Sequence, residues 1–264
     1  MTASESEPMP TIMIAMPTSG YVRTETMVAL IGLTQGLRER GIAFAIKTFE
    51  GSDIVMSRNA LMSQFFTDTT FSHTLLIDGD MSFEPTVVFR LLEFGAAFTC
   101  AAYPQRKLSL EKLRRLIEND ATDSDCERTP TQDLLAKALS YNVQKRLNHV
   151  EPWQSKYHDG FRTVPGAGTG LMFIARTVPE TMVAKGVAPA RPRHDGLPLY
   201  AGAKFHDFFS HVTDPKGSLI YGEDQSFCRR WVEGCSGDIW CDETAVIVHH
   251  GHFPFRGNFS LHDN

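Results

Sequence analysis

Cysteine is sparse in this chain and badly placed for metal binding. Its five cysteines, Cys100, Cys126, Cys228, Cys235 and Cys241, form no C-x-x-C pair. The odd number and the spacing argue against a disulfide framework or a zinc ribbon, and reduced thiols in a cytoplasmic protein are expected. Long apolar runs are missing as well. No stretch approaches the roughly 20 residues that span a bilayer, so no transmembrane segment is expected. The opening MTASESEPMP has no apolar centre of the kind a signal peptide needs. Positive charge is not in excess either. A formal charge of −5 and a pI near 6.1 give no basis for broad contact with phosphate backbones, and no nucleic-acid partner is expected.

What remains is an ordinary globular composition: 264 residues, 42% hydrophobic and 22% charged, enough for one large domain or two small ones. Residues 1–10 read as a disordered tail. TIMIAM (11–16) reads as a buried strand stopped by the turn cluster Pro17-Thr18-Ser19-Gly20. Residues 24–40 place Met27, Leu30, Ile31, Leu33 and Leu37 at helical spacing, closed by Gly41. IAFAIKTF (42–49) is a second strand, and Ser52 or Asp53 can cap a helix running through Arg58, Asn59, Leu61 and Phe65. TLLI (74–77) is a third strand. After a loop, Pro85 suits the first turn of a helix through Glu93, and AFTCAAY (97–103) is a fourth strand. Strands alternating with helices predict an α/β fold, a mostly parallel sheet covered on both faces. Ligands bind such sheets beyond the carboxyl ends of the strands.

Between residues 107 and 160 the pattern changes. KLSLEKLRRLIEND and TQDLLAKALSYNVQKRL read as amphipathic helices flanking the polar ATDSDCERTP, a helical insertion in a single domain over 11–257. LEKLRRLI has the makings of a basic amphipathic face, which suits peripheral membrane contact or a solvated helix packed on the domain. The sheet resumes at GTGLMFIA (168–175), with a helix from about Val178 and a surface loop at ARPRHDG (190–196). GEDQSFCRRWVEGC (222–235) reads as a helix, DIWC and AVIVHH as short strands, and 258–264 as a C-terminal tail.

The chemistry concentrates at the tip of the third strand, where an apolar run ends in Asp78-Gly79-Asp80. Two carboxylates so close repel each other unless a cation joins them. Mg2+ and Mn2+ take oxygen ligands, commonly one or two carboxylates plus substrate phosphates. An Asp-rich turn is the plainer alternative. Gly222-Glu223-Asp224-Gln225 opens a helix, where acidic residues complement the dipole; they also suit a general base or a sugar-hydroxyl acceptor. VIVHHGH offers His249, His250 and His252 beside Gly251, either ligands for a cation or surface histidines. Pro17-Thr18-Ser19-Gly20 offers backbone and hydroxyl donors, and Arg58 suits a phosphate or a solvated helix face. Gly166-Ala167-Gly168-Thr169-Gly170 precedes a strand, so it is not a dinucleotide-binding loop.

Taken in order, PTSG, SRNALMSQFF, LLIDGDMSFEP, AAYPQRK, GTGLMFIARTV, GEDQSFCRRW and VHHG resemble the glycosyltransferases of the GT-A fold. The likeness is to the compact transferases related to the fungal Golgi mannosyltransferase group and their bacterial and viral homologues. It covers residues 11–106 and 161–257, not the insertion. The resemblance implies a GT-A-like (Rossmann-like) domain that moves a sugar from a nucleoside-diphosphate sugar to a glycan or other hydroxyl acceptor, using Mn2+ or Mg2+. It implies that Asp80 ligates the cation, with Asp78 near the ribose or the metal and His249 a second ligand. Pro17, Thr18 and Arg58 would line the nucleotide pocket, and Asp224, beside Glu223, would face the acceptor. Asp224 would be the general base if the reaction inverts the anomeric centre, and would position the acceptor if it retains it. Two other classes fit parts of the pattern. A haloacid-dehalogenase-like phosphatase shares D-x-D behind an apolar strand, though Ser82 replaces its Thr or Val. A non-catalytic nucleotide- or glycan-binding module would need the carboxylates but no base.

Overall fold

The computed structural model describes residues 9–122, 129–147, 151–192, 204–214 and 216–262. Most of the tail at 1–10, of the polar linker at 121–130 and of the loop at 190–196 therefore lies outside the described residues. The strand Thr11–Thr18 (β1) runs two residues further than its apolar pattern, so Pro17 and Thr18 belong to the strand. Alternate residues of a strand face opposite ways. Ile12, Ile14 and Met16 accordingly meet helices Thr24–Glu39 (α1) and Pro85–Glu93 (α3). Met13 and Ala15 meet Leu61, Met62 and Phe65 of helix Ile54–Thr67 (α2) on the other face.

Local signals set the boundaries. Gly41, at φ +70°, ends α1 in the left-handed conformation that favours glycine. The Asp53 carboxylate caps α2 by accepting from the backbone N–H groups of Val55 and Met56, at 2.9 and 3.2 Å. Pro85 opens α3.

Strands Ala43–Glu50 (β2) and His73–Ile77 (β3) flank β1 and run parallel to it. A short strand, Met81–Phe83 (β4), follows the D-x-D; this stretch was expected as a loop. Next come Phe98–Ala101 (β5) and Pro104–Leu108 (β6). Helices Leu110–Thr122 (α4) and Thr131–Ala138 (α5) follow, then Leu139–Tyr141 (β7), which pairs with β6. The insertion is thus helical only in its first part: the helix expected through residue 147 stops at Ala138. Its continuation alternates, with Leu139 and Tyr141 buried and Ser140 exposed, a period of two that suits a strand.

Besides two small two-stranded pairs, Arg146–Leu147 with Glu151–Pro152 and Ala190–Arg191 with Phe205–His206, the later strands are Tyr157–His158 (β8), Phe161–Thr163 (β9), Leu171–Ala175 (β10), Trp240–Asp242 (β11), Val246–His250 (β12) and Pro254–Asn258 (β13). The later α-helices are Thr177–Ala184 (α6) and Glu223–Arg229 (α7), the latter continued by a π-helical turn at Arg230–Gly234. The large sheet has the order β8-β9-β11-β5-β10-β3-β1-β2. Only β9 and β10 run against the other strands, so the sheet is mostly parallel in direction. A second, three-stranded sheet joins β13, β12 and β4. Residues 259–261, within the expected tail, form a 3-10 turn with Phe259 buried. No helix among the described residues is long and apolar enough to cross a membrane.

Candidate active site

The carboxyl ends of β1, β2 and β3 open into a cleft of about 580 Å3, lined among others by Thr18, Arg58, Asp78, Asp80, Arg106 and His249. That volume is within the range of small-molecule sites. Pro17, Tyr21, Arg23, His250 and His252 also border it. The fold therefore brings the sequence-predicted residues 17, 18, 58, 78, 80 and 249 to one place. Glu223 and Asp224 enter from α7, and Glu223 touches the group through Arg58.

Each of the two aspartates has its own arginine. Arg58 Nη2 donates to Asp78 Oδ1 at 2.8 Å, while Arg58 Nη1 donates to Glu223 Oε1 at 2.5 Å. Arg58 is only 5% exposed, so the solvated-face reading does not hold. Two carboxylates keep its guanidinium charged more firmly than usual despite burial. Any phosphate reaching Arg58 would share it with these two partners. Its neighbour Asn59 has a structural task, accepting from the backbone N–H of Phe209 at 2.6 Å.

Asp80 is different. Its Oδ2 accepts from Arg106 Nη2 and lies 3.6 Å from His249 Nε2. Its Oδ1 is shut away from solvent with no hydrogen-bond partner. A buried carboxylate oxygen left without a partner is costly and calls for a ligand.

Backbone pairing explains why His249 is near. β12 lies antiparallel to β4, with His249 opposite Met81, and the N–H of His250 donates to the carbonyl of Asp80 at 2.8 Å. The same pairing separates the histidines, because neighbouring strand residues face opposite ways. His250 Nε2 bonds Ser82 Oγ at 2.7 Å, and His252 is exposed. His249 Nδ1 lies 2.9 Å from the carbonyl of Pro104. A carbonyl only accepts, so Nδ1 carries the proton and Nε2 keeps its lone pair towards Asp80. Burial also lowers the His249 pKa, favouring the neutral form that ligates metals.

Among the described residues, no three His, Cys, Asp or Glu side chains stand close enough to hold a metal ion by themselves. The Asp80 carboxylate and His249 Nε2, 3.6 Å apart at Oδ2, fit a two-ligand half-site, of the kind Mg2+ or Mn2+ completes with substrate oxygens and water.

The glycines of GAGTG have a packing reason. A Cβ on Gly170 would lie 2.4 Å from Met81 and 2.7 Å from the Tyr103 ring; one on Gly168 would lie 2.2 Å from the Tyr103 hydroxyl. The N–H of Gly170 donates to that hydroxyl at 3.2 Å, and Tyr103 sits edge-on to His249 with centroids 5.5 Å apart. Asp224 is half-buried at the start of α7, and burial followed by the Glu223 charge pushes its pKa up to about 6. Tyr103, Arg23 and Arg106 were given no role from sequence. Arg106 lies in the quoted AAYPQRK, but nothing local says that it turns back to Asp80.

No family model and no curated protein matches the chain. Two solved structures share its general shape. The crystal structure of A197 from STIV has 16% identity and a TM-score of 0.45, over 92% of this chain and 86% of that one. The structure of GalNAc-T7 with UDP, GalNAc and Mn2+ has 7% identity and a TM-score of 0.43, over 90% of this chain and 43% of that one. At these levels neither likeness bears on function.

Proposed function

We propose that the protein is a metal-dependent glycosyltransferase that uses a nucleoside-diphosphate sugar and a glycan or other hydroxyl acceptor. The observation that carries this reading is the Asp80 carboxylate, one oxygen buried without a partner and the other 3.6 Å from His249 Nε2, at the carboxyl ends of parallel strands. A divalent cation bound there would neutralise charge developing on a departing diphosphate. Asp80 and His249 hold that position. Asp78, fixed by Arg58, supplies a second acceptor edge for a ribose or metal-bound water. Pro17 and Thr18 form the wall at the end of β1. Asp224, with its raised pKa, would take a proton from an acceptor hydroxyl. A phosphatase reading fits less well, because one oxygen of Asp78, its would-be nucleophile, is held by Arg58.

Thermal unfolding against UDP-, GDP-, dTDP- and CMP-sugars, each with Mn2+, Mg2+ or EDTA, tests the reading. One nucleotide class should raise the midpoint, and EDTA should abolish the rise. Asp80→Ala should lose this response while its ligand-free midpoint stays within a few degrees, since half-exposed ion pairs contribute only ~1 kcal/mol or less. A wild-type response in Asp80→Ala, or no response to any donor, would remove the proposal.

A further inference from the structure

Among the described residues lining the cleft, Arg106 is the one cation that is both paired to the candidate metal ligand and free to leave. Arg58 is buried under two carboxylates, and Arg23 is tied to the backbone, donating from Nη2 to the carbonyl of Gly251 at 2.9 Å. The Arg106 side chain is 45% exposed, and it pairs with Asp80 Oδ2. Its stem lies over Gly251, where a Cβ would come within 3.0 Å of Arg106 Cδ. Asp80 cannot serve two cations equally. A divalent ion drawing on its carboxylate weakens the hold on the guanidinium by repulsion and by competition for the same oxygens.

We propose that Arg106 is a diphosphate-binding residue whose availability is set by the metal: it neutralises Asp80 when the metal site is empty, and is released to the diphosphate when the metal arrives. This inference rests on the transferase reading given above. The chemistry suits the exchange. Guanidinium pairs with phosphate oxygens at least as readily as with carboxylate, and Arg106 lines the same cleft as Thr18 and Asp78. A single side chain would then couple two binding events, so that metal and nucleoside diphosphate each strengthen the other's binding. It would also keep an acidic strand tip from holding cations tightly before substrate is present.

The coupling predicts effects of opposite sign from one substitution. Arg106→Ala should bind Mn2+ alone about three- to tenfold more tightly than wild type, because a competing ion pair is gone. At saturating Mn2+, the same variant should bind UDP, GDP or dTDP (whichever stabilises the wild type) about tenfold more weakly, because a charge-assisted hydrogen bond is lost. Arg106→Lys should restore part of the nucleotide affinity, whereas a purely structural defect would weaken both ligands and would not respond to restored charge. Titration calorimetry on the full chain reads both affinities, with Asp80→Ala as the control. Should Arg106→Ala bind Mn2+ no tighter while Asp80→Ala abolishes Mn2+ binding, the inference fails and the metal reading stands. Tighter Mn2+ binding with unchanged nucleotide affinity also overturns it. Mn2+ binding that survives Asp80→Ala would overturn the metal reading itself, and the inference with it.

Discussion

Asp224 has a carboxyl that is half-buried beside Glu223, and its pKa rises from 3.8 to about 6. A folded-state pKa above the unfolded value means that the folded chain holds the proton more tightly between about pH 4 and 6. Stability from this group is therefore present at low pH and lost as pH rises through that window. Asp224→Asn should be more stable than wild type at pH 7, by at most about 3 kcal/mol and less where water screens the carboxylate. The gain should vanish below pH 4, which denaturant unfolding at several pH values would show. If Asp224 is the base, wild-type turnover should fall below pH ~6, and the asparagine variant should lose roughly 100-fold or more above pH ~6, the difference narrowing at lower pH, while donor affinity holds. A large loss of donor affinity instead would move Asp224 into the metal site. Residues such as Asp78, Asp80 and His249 were legible because their chemistry is unusual for their local pattern. The carboxylate partners of Arg58, and any place for Arg106 and Tyr103, were not, since a basic or aromatic side chain reads the same whether it faces water or meets a carboxylate far along the chain.

At the scale of elements, α2 owes its end to a residue outside it. Arg176, just ahead of α6, donates to the carbonyls of Phe65, Phe66, Asp68 and Phe71, at 2.9, 3.2, 2.5 and 2.6 Å. The last carbonyls of a helix lack intrahelical partners and favour a positive charge. Arg176→Ala should lower stability by about 2 to 3 kcal/mol, seen as a lower denaturation midpoint with unchanged m-value. Because α2 also presents Arg58, the substitution should weaken the Arg58 grip on Asp78 more than Arg176→Lys does. The α/β alternation, the strand ahead of the D-x-D and the helix opening at Pro85 could all be read from apolar periodicity and caps. The short strands β4 and β7 could not. Three residues give too little periodicity to outvote a helical or loop-like neighbourhood, and their pairing partners are distant. The basic face read into LEKLRRLI is also weaker than its charge suggests: Arg114 and Arg115 pair with Glu118 and Glu111 on the same helix.

Across the whole molecule, apolar side chains fill both faces of the large sheet, and four of the five cysteines lie in them. Cys100, Cys228, Cys235 and Cys241 are all buried. None of these four should react with a bulky thiol reagent in the native state, and all should become reactive as the fold opens, so the reactive-thiol count would track global unfolding. Early modification of more than one thiol would mean local opening around β5, α7 or β11. The layered fold was legible because it repeats one signal many times; the cleft was only half legible, because it is built where separate parts of the chain meet. That construction has a consequence during protein synthesis. All eight strands of the large sheet precede β12, yet His249 stands on β12 and reaches Asp80 only once β12 has zipped onto β4. Chains fold from the beginning as they emerge, so a nascent chain can pair most of the strands of its sheet before His249 stands beside the D-x-D. A chain stalled ahead of β12 would then present the D-x-D tip without the histidine that faces Asp80.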